Sequence, residues 1–181
     1  MLRTSLTKTA CWLPVGLAIS LTGCGLTQSV SDGTKSAFTA VFYKKITVLH
    51  LDFTAREALN TDARESDSLS ESVVVRVYQL KDNKTFDKTV YQQLLKEGET
   101  ILGADLLATR DVVVKPGGDV LLDMPMEEDT RYVAVVGLFR HPDIVKNTWK
   151  LTISREELNP DKARVIEAGN NYLRLVPVKD K

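Results

Sequence analysis

The sequence predicts a mainly β protein, a two-sheet β-sandwich of about eight strands with a small helical insertion between strands two and three. Three observations carry that prediction. Apolar and polar residues alternate from Leu49 to Ala55, short β-branched runs recur between turn signals, and helical spacing is confined to about 86–107. Composition narrows the class further. A chain of 181 residues, 43% of them hydrophobic, is one domain of ordinary size and too apolar for a disordered chain. Its 24 Lys+Arg balance 24 Asp+Glu, which argues against a nucleic-acid binder, since such a protein needs excess base to displace counterions from phosphate. Two cysteines are too few for a disulfide framework or a Cys-rich zinc site.

The first 23 residues read as an export signal. Arg3 and Lys8 form a basic start, no acid precedes Asp32, and an apolar run extends from Ala10 to Leu21. That run is shorter than the ~20 residues a membrane-spanning helix needs, and Pro14 and Gly16 interrupt it. It ends in Leu21-Thr22-Gly23-Cys24, which resembles the lipobox of bacterial lipoproteins. The resemblance implies diacylglycerol on the Cys24 thiol, cleavage before it, and an N-acyl chain on the freed amine. A thiol suits that chemistry as the strongest nucleophile present. Removing Cys11 with the leader leaves a single cysteine, which acylation would protect from oxidation. At ~0.8 kcal/mol per buried CH₂, three chains make a stable anchor. Gly25 stands where lipoproteins retained in the inner membrane commonly carry Asp, so the family rule implies the periplasmic face of the outer membrane. Cleavage would leave 181 − 23 = 158 residues, with 22 bases against 24 acids.

Residues 24–44 read as the lipidated N-terminus and a tether, rich in Ser, Thr, Gly and Lys, with a reach of ~25 Å. Phe38, Ala40 and Phe42 alternate as in a short edge strand. The sandwich domain occupies 45–181. Its first strand puts Leu49, Leu51, Phe53 and Ala55 on one face and His50, Asp52 and Thr54 on the other. A polar stretch follows over 60–72, then the β run Val73 to Leu80. Phe86, Val90, Tyr91, Leu94 and Leu95 recur at helical spacing and predict a helix over about 86–96, ended by Gly98. Ile101, Leu102, Leu106 and Leu107 predict a second short helical piece. Arg110–Lys115 and Asp119–Asp123 flank the turn Pro116-Gly117-Gly118. Arg131–Arg140 is an almost wholly apolar strand broken by His141-Pro142-Asp143. Thr148–Ile153 is another, with Trp149, Leu151 and Ile153 on one face, and Arg155–Leu158 is a helical turn. Ala163–Glu167 and Tyr172–Val178 pair through Gly169-Asn170-Asn171.

The chain carries no G-x-S-x-G, H-E-x-x-H, P-loop or G-x-G-x-x-G motif, and we expect no enzyme. His50 reads as part of a solvated strand face, His141 as a loop residue, and Glu127-Glu128-Asp129 as a solvated acidic turn; we expect no metal and no cofactor beyond the lipid on Cys24. The 60–72 stretch is more informative. Neighbouring strands can be joined by two to five residues, yet this connection spends thirteen. Asp62, Glu65, Asp67 and Glu71 against Arg64 give it a local charge of −4 + 1 = −3, and Leu69 is its sole large apolar side chain. Long loops on rigid sandwiches are where binding concentrates.

Ser72-Val73-Val74-Val75-Arg76-Val77-Tyr78-Gln79-Leu80-Lys81, with Phe86 and the following helix, the Val112-Val113-Val114-Lys115-Pro116-Gly117 turn, and the Val133–Phe139 strand before Trp149, occur in a recognisable order. They resemble the outer-membrane lipoprotein of bacterial type VI secretion, the TssJ (VasD/Lip) family. The resemblance implies a transthyretin-like sandwich with a helical addition and no catalysis. It implies binding to the periplasmic C-terminal domain of the inner-membrane subunit TssM, and through it an indirect link to TssL. In that family the loop between the first two strands makes or supports the contact. Here the loop comprises Asn60, Thr61, Asp62, Ala63, Arg64, Glu65, Ser66, Asp67, Ser68, Leu69 and Ser70, with Leu69 expected as its apolar anchor. The alternative from another class is a periplasmic lipoprotein holding a small ligand inside a transthyretin-like or lipocalin-like sandwich, which predicts an apolar cavity between the sheets.

Overall fold

The alternation that begins at Leu49 runs on as β1 (Val48–Leu59), and its inward side chains Leu49, Leu51 and Phe53 are fully buried. The computed structural model describes residues 45–62, 64 and 68–178. The leader, Cys24, the tether and the short strand expected at 38–42 lie outside them. After β1 come β2 (Val73–Leu80), α1 (Lys84–Lys88), α2 (Tyr91–Leu102), β3 (Leu106–Val114), β4 (Asp119–Pro125), β5 (Tyr132–Gly137), β6 (Lys150–Ser154), β7 (Arg164–Asn170) and β8 (Tyr172–Leu175). One sheet has the order β4-β1-β7-β8 and the other β3-β2-β5-β6. All neighbours are antiparallel except β1 and β7, which run parallel with Phe53 opposite Ile166.

The two inner faces meet in one hydrophobic core. Leu49, Leu51, Phe53 and Ile166 of the first sheet face Val75, Val77, Val133 and Val135 of the second, and all are at most 1% exposed. These side chains form the apolar layer between the sheets, the place where the small-ligand alternative needs a cavity. The helical insertion covers the outer face of the second sheet. Tyr78, opposite Ala134 in the ladder, meets the Phe86 ring edge-on at 6.4 Å. β5 is therefore buried on both faces, which is why Val133 to Val136 read as one continuous apolar run instead of alternating.

Several boundaries differ from expectation. The helical region starts at Lys84 and extends to Leu102, so Gly98 does not end it. Gly98 sits after a kink at Glu97 (φ −135°) and lets the backbone close on Tyr78, since a Cβ there would stand 2.4 Å from the Tyr78 hydroxyl. The helix ends instead at Gly103, whose φ of 44° lies in the positive-φ region that glycine enters without a side-chain clash. Leu106 and Leu107 begin β3 and are not helical, because pairing with the end of β2 overrides their local helix preference. Val90 and Leu95 do not belong to the buried stripe, which is Tyr91, Leu94, Gly98 and Leu102. The strand expected over 131–140 stops at Gly137, where Arg140 turns its backbone N–H to the Asn60 side chain. β8 stops at Leu175. The expected turns at Gly117 (φ 64°) and at Asn170 (φ 42°) are present.

Candidate functional site

The β1–β2 loop leaves the sheet at Asn60, whose φ of 52° turns the chain sharply away from β1. Asparagine tolerates this conformation better than most side chains. Asn60 is 4% exposed and both ends of its side-chain amide are hydrogen-bonded. Oδ1 accepts from the Arg140 backbone N–H at 2.8 Å, and Nδ2 donates to the Ser72 carbonyl at 3.2 Å. Its backbone N–H donates to the Asn170 carbonyl. The Arg140 guanidinium donates to the Asn60 carbonyl at 3.1 Å and pairs with Glu71 at 3.0 Å. Asn171 Nδ2 donates to the Thr61 carbonyl at 2.8 Å. The two ends of the loop are thus joined to each other, to the β5–β6 connection and to the β7–β8 turn.

Asp62 is the second fastening point. Its side chain is 9% exposed and receives the Arg64 guanidinium at 2.9 and 2.8 Å and the Arg64 backbone N–H at 3.0 Å. His141 Nε2 lies 2.9 Å from Asp62 Oδ2, the oxygen that also accepts from Arg64 Nη2. If Nε2–H donates to Asp62, its 3.0 Å approach to the Arg64 guanidinium is a contact and not a hydrogen bond, since a protonated nitrogen has no free lone pair. The Asp62 backbone N–H donates to the Ser68 hydroxyl. The Arg64 side-chain hydrogen bond, then its backbone N–H, then the Arg64 and His141 charges hold the Asp62 carboxyl far below the usual carboxylate range against the opposing effect of burial.

A carboxyl depressed on folding stabilises the protein above its unfolded value of about 3.9, and that contribution fades as pH falls through it. We expect Asp62→Asn to lower the thermal midpoint most at about pH 6 and progressively less from about pH 5 down. Glu167, held low by Arg56 first and then by Tyr172 and Arg174, persists in both proteins and cancels from the difference. Thermal melts of the two proteins across that range check this; a pH-independent difference would remove the carboxylate as its cause.

The structure brings Asn60, Thr61, Asp62, Arg64 and Ser68 together at the loop base and leaves Leu69 76% exposed beyond it. Ser70 accepts from the Leu59 N–H at 3.4 Å. Ala63, Glu65, Ser66 and Asp67 lie outside the described residues. Two of the loop's acids, Asp62 and Glu71, are engaged within the protein itself. His50 meets Asp123, its cross-strand partner, at 2.5 Å, so its neighbour across the sheet replaces Asp52 on its own strand. His141, read in sequence as a plain loop residue, is part of the loop fastening. Among the described residues no group of three or more His, Cys, Asp or Glu side chains is placed to hold a metal ion.

Beside the loop base opens a cleft of about 610 Å³ between the start of α2 and the β5–β6 connection. Trp149 and Tyr91 line it, packed edge-on at 5.1 Å and 84°, with the Tyr91 hydroxyl donating to the Phe139 carbonyl. The Lys150 ammonium fixes one wall by donating to the carbonyls of Phe86, Asp87 and Thr89 at 2.9–3.0 Å. It thereby satisfies the C-terminal end of α1. Burial pushes this ammonium below the usual lysine range while the Asp87 charge resists. Sequence reading missed Arg140, Trp149 and Lys150 as members of this end of the molecule. The turn signal His141-Pro142-Asp143 was the one local hint.

The family model described as "Type VI secretion lipoprotein, VasD, EvfM, TssJ" matches residues 47–171. No curated protein matches. A chain in the solved structure described as "T6SS protein TssM C-terminal domain (869-1107) from EAEC" is 45% identical, with TM-score 0.66, over 74% of this chain and 100% of that one. A chain of a "Type VI membrane complex" is 46% identical with TM-score 0.68 over the same shares, 74% and 100%. The T6SS lipoprotein TssJ1 from Pseudomonas aeruginosa has the same fold at 21% identity, with TM-score 0.62 over 76% of this chain and 100% of that one.

Proposed function

The chain belongs to the type VI secretion lipoprotein family, and from that membership we propose that it ties the secretion machine's membrane complex to the outer membrane by binding TssM. Acyl chains on Cys24 hold one end in the periplasmic face of the outer membrane. The sandwich supplies a rigid body, and the β1–β2 loop docks on the periplasmic C-terminal domain of TssM. The role is mechanical and not catalytic. The observation that carries the reading is the likeness at 45% identity to a chain solved in a structure described by the TssM C-terminal domain. The loop supports it: a fastened base presents Leu69 at 76% exposure to solvent. A side chain carried on a fastened base loses little entropy on docking, and an exposed apolar side chain is the kind of group that becomes a binding hot spot.

Leu69→Asp is expected to weaken binding to the purified TssM periplasmic domain by about thirtyfold, the ~2 kcal/mol typical of a hot spot. Calorimetric titration of the full chain in detergent measures it. Unchanged affinity, both for this variant and after deletion of 61–69, would overturn the assignment. Any share contributed by the loop's exposed acids appears as weakening with added salt, screened over ~8–10 Å.

A further inference from the structure

We propose that the cleft beside the loop is a second docking site for the same partner, taking an apolar side chain flanked by carboxylates. This rests on the loop reading above for the partner's identity. Three observations support it. The first is the character of the cleft. Its aromatic lining is buried, with Trp149 1% and Tyr91 6% exposed, while Val90 at 58% and Ile144 at 66% present apolar surface. Val90 comes from the helical insertion and Ile144 from the β5–β6 connection, so two separate elements offer apolar groups to one space.

The second is charge. The cleft is lined by Lys88 and Lys150 against the single acid Asp87, while Arg140 and His141, also in its wall, are paired with Glu71 and Asp62. A carboxylate-bearing segment suits that balance. The chain's own tether does not, since 24–44 carries Lys35 and Lys44 against the single acid Asp32.

The third is continuity. Arg140 and His141 line the cleft, and the same two residues hold Asn60 and Asp62 at the loop base. A partner seated on Leu69 therefore lies against a surface that leads into the cleft through shared side chains. Loop and cleft together resemble a binding surface with two apolar centres, which sets the partner's orientation as well as its affinity.

The test compares full-length proteins in detergent micelles binding the purified TssM periplasmic domain. The variants are Val90→Asp with Ile144→Asp, Lys88→Glu alone, and Leu69→Asp. All the changed side chains are exposed, so folding is expected to survive, and thermal melts confirm it. We expect the double variant to weaken binding at least about tenfold with Leu69 intact. We expect Lys88→Glu to weaken binding about threefold at low salt and to change its salt dependence. If the double variant destabilises the fold, Lys88→Glu decides alone. Binding unchanged by the cleft variants but lost in Leu69→Asp overturns the cleft and leaves the loop reading standing. The reverse pattern, with deletion of 61–69 also without effect, overturns the loop reading and keeps the cleft. Sedimentation of the chain without TssM provides the last control. Self-association that the cleft variants abolish would make a second copy the occupant and overturn the proposal.

Discussion

Replacing Trp149 with alanine is expected to lower stability by about 3–5 kcal/mol, the range for truncating a large buried aromatic side chain. Trp149 is 1% exposed, stacks edge-on with Tyr91 at 5.1 Å, and lies 5.0 Å beneath the Lys150 ammonium. Its carbonyl also accepts from the Gly137 N–H at 2.8 Å, so the residue joins β5 to the start of β6. The cavity left by alanine faces the rigid underside of the helical insertion, which cannot collapse into it without moving Tyr91. Trp149→Phe keeps an aromatic ring and removes an indole N–H that has no hydrogen-bond partner among the described residues. Its cost is therefore expected to be well below that of alanine. For a domain of this size the alanine variant should melt about 10 °C or more below the parent. Urea titration checks the same point, with a lower midpoint and an unchanged slope. A loss under about 1 kcal/mol would mean this end of the sandwich is loosely packed.

The second large effect is expected at Gln79, a polar residue with no exposed surface. Its Nε2 donates to the Pro125 carbonyl at 2.7 Å, and its Oε1 accepts from the Glu127 N–H and the Thr130 hydroxyl, each at 2.8 Å. Gln79 therefore holds the β4–β5 connection to the inner face of the second sheet. Gln79→Leu preserves the volume but strands three polar groups. At about 1–3 kcal/mol for each buried unsatisfied group, the expected loss is about 3 kcal/mol or more. Arg155 donates to the Glu127, Glu128 and Thr130 carbonyls from the other side, so the connection loosens without detaching. Chemical denaturation measures the loss. A neutral Gln79→Leu would show that water reaches these groups freely.

Much of the architecture was legible because burial on a strand repeats every second residue. Leu49, Leu51 and Phe53 announced the buried face of β1, and Pro116-Gly117-Gly118 announced a turn. The misreadings arose where local pattern and long-range pairing disagree. Leu106 and Leu107 continue a plausible helical spacing, yet the end of β2 is available to pair with them. Gly98 looked like a stop because glycine is a common helix terminator, whereas here its missing side chain makes room for Tyr78. The parallel pairing of β1 with β7 left no local trace, since those strands are separated by most of the domain.

The candidate site divides along the same line. Sequence by itself determined the sandwich class, the helical insertion, the family, and the position of a long loop carrying acids and one large apolar residue. Only the tertiary structure decided what those acids do. Asp62 and Glu71, which sequence presents as a free negative charge, are held by Arg64, His141 and Arg140. Only it showed that Trp149, Tyr91 and Lys150 form a cleft at the loop's side. The physical reason is range. Periodicity records which face of an element is buried, a property of neighbours along the chain. Whether a charge is exposed or paired depends on groups that lie 69 to 79 residues away in the chain for Glu71 with Arg140 and for Asp62 with His141, and meet only when the strands between them have paired.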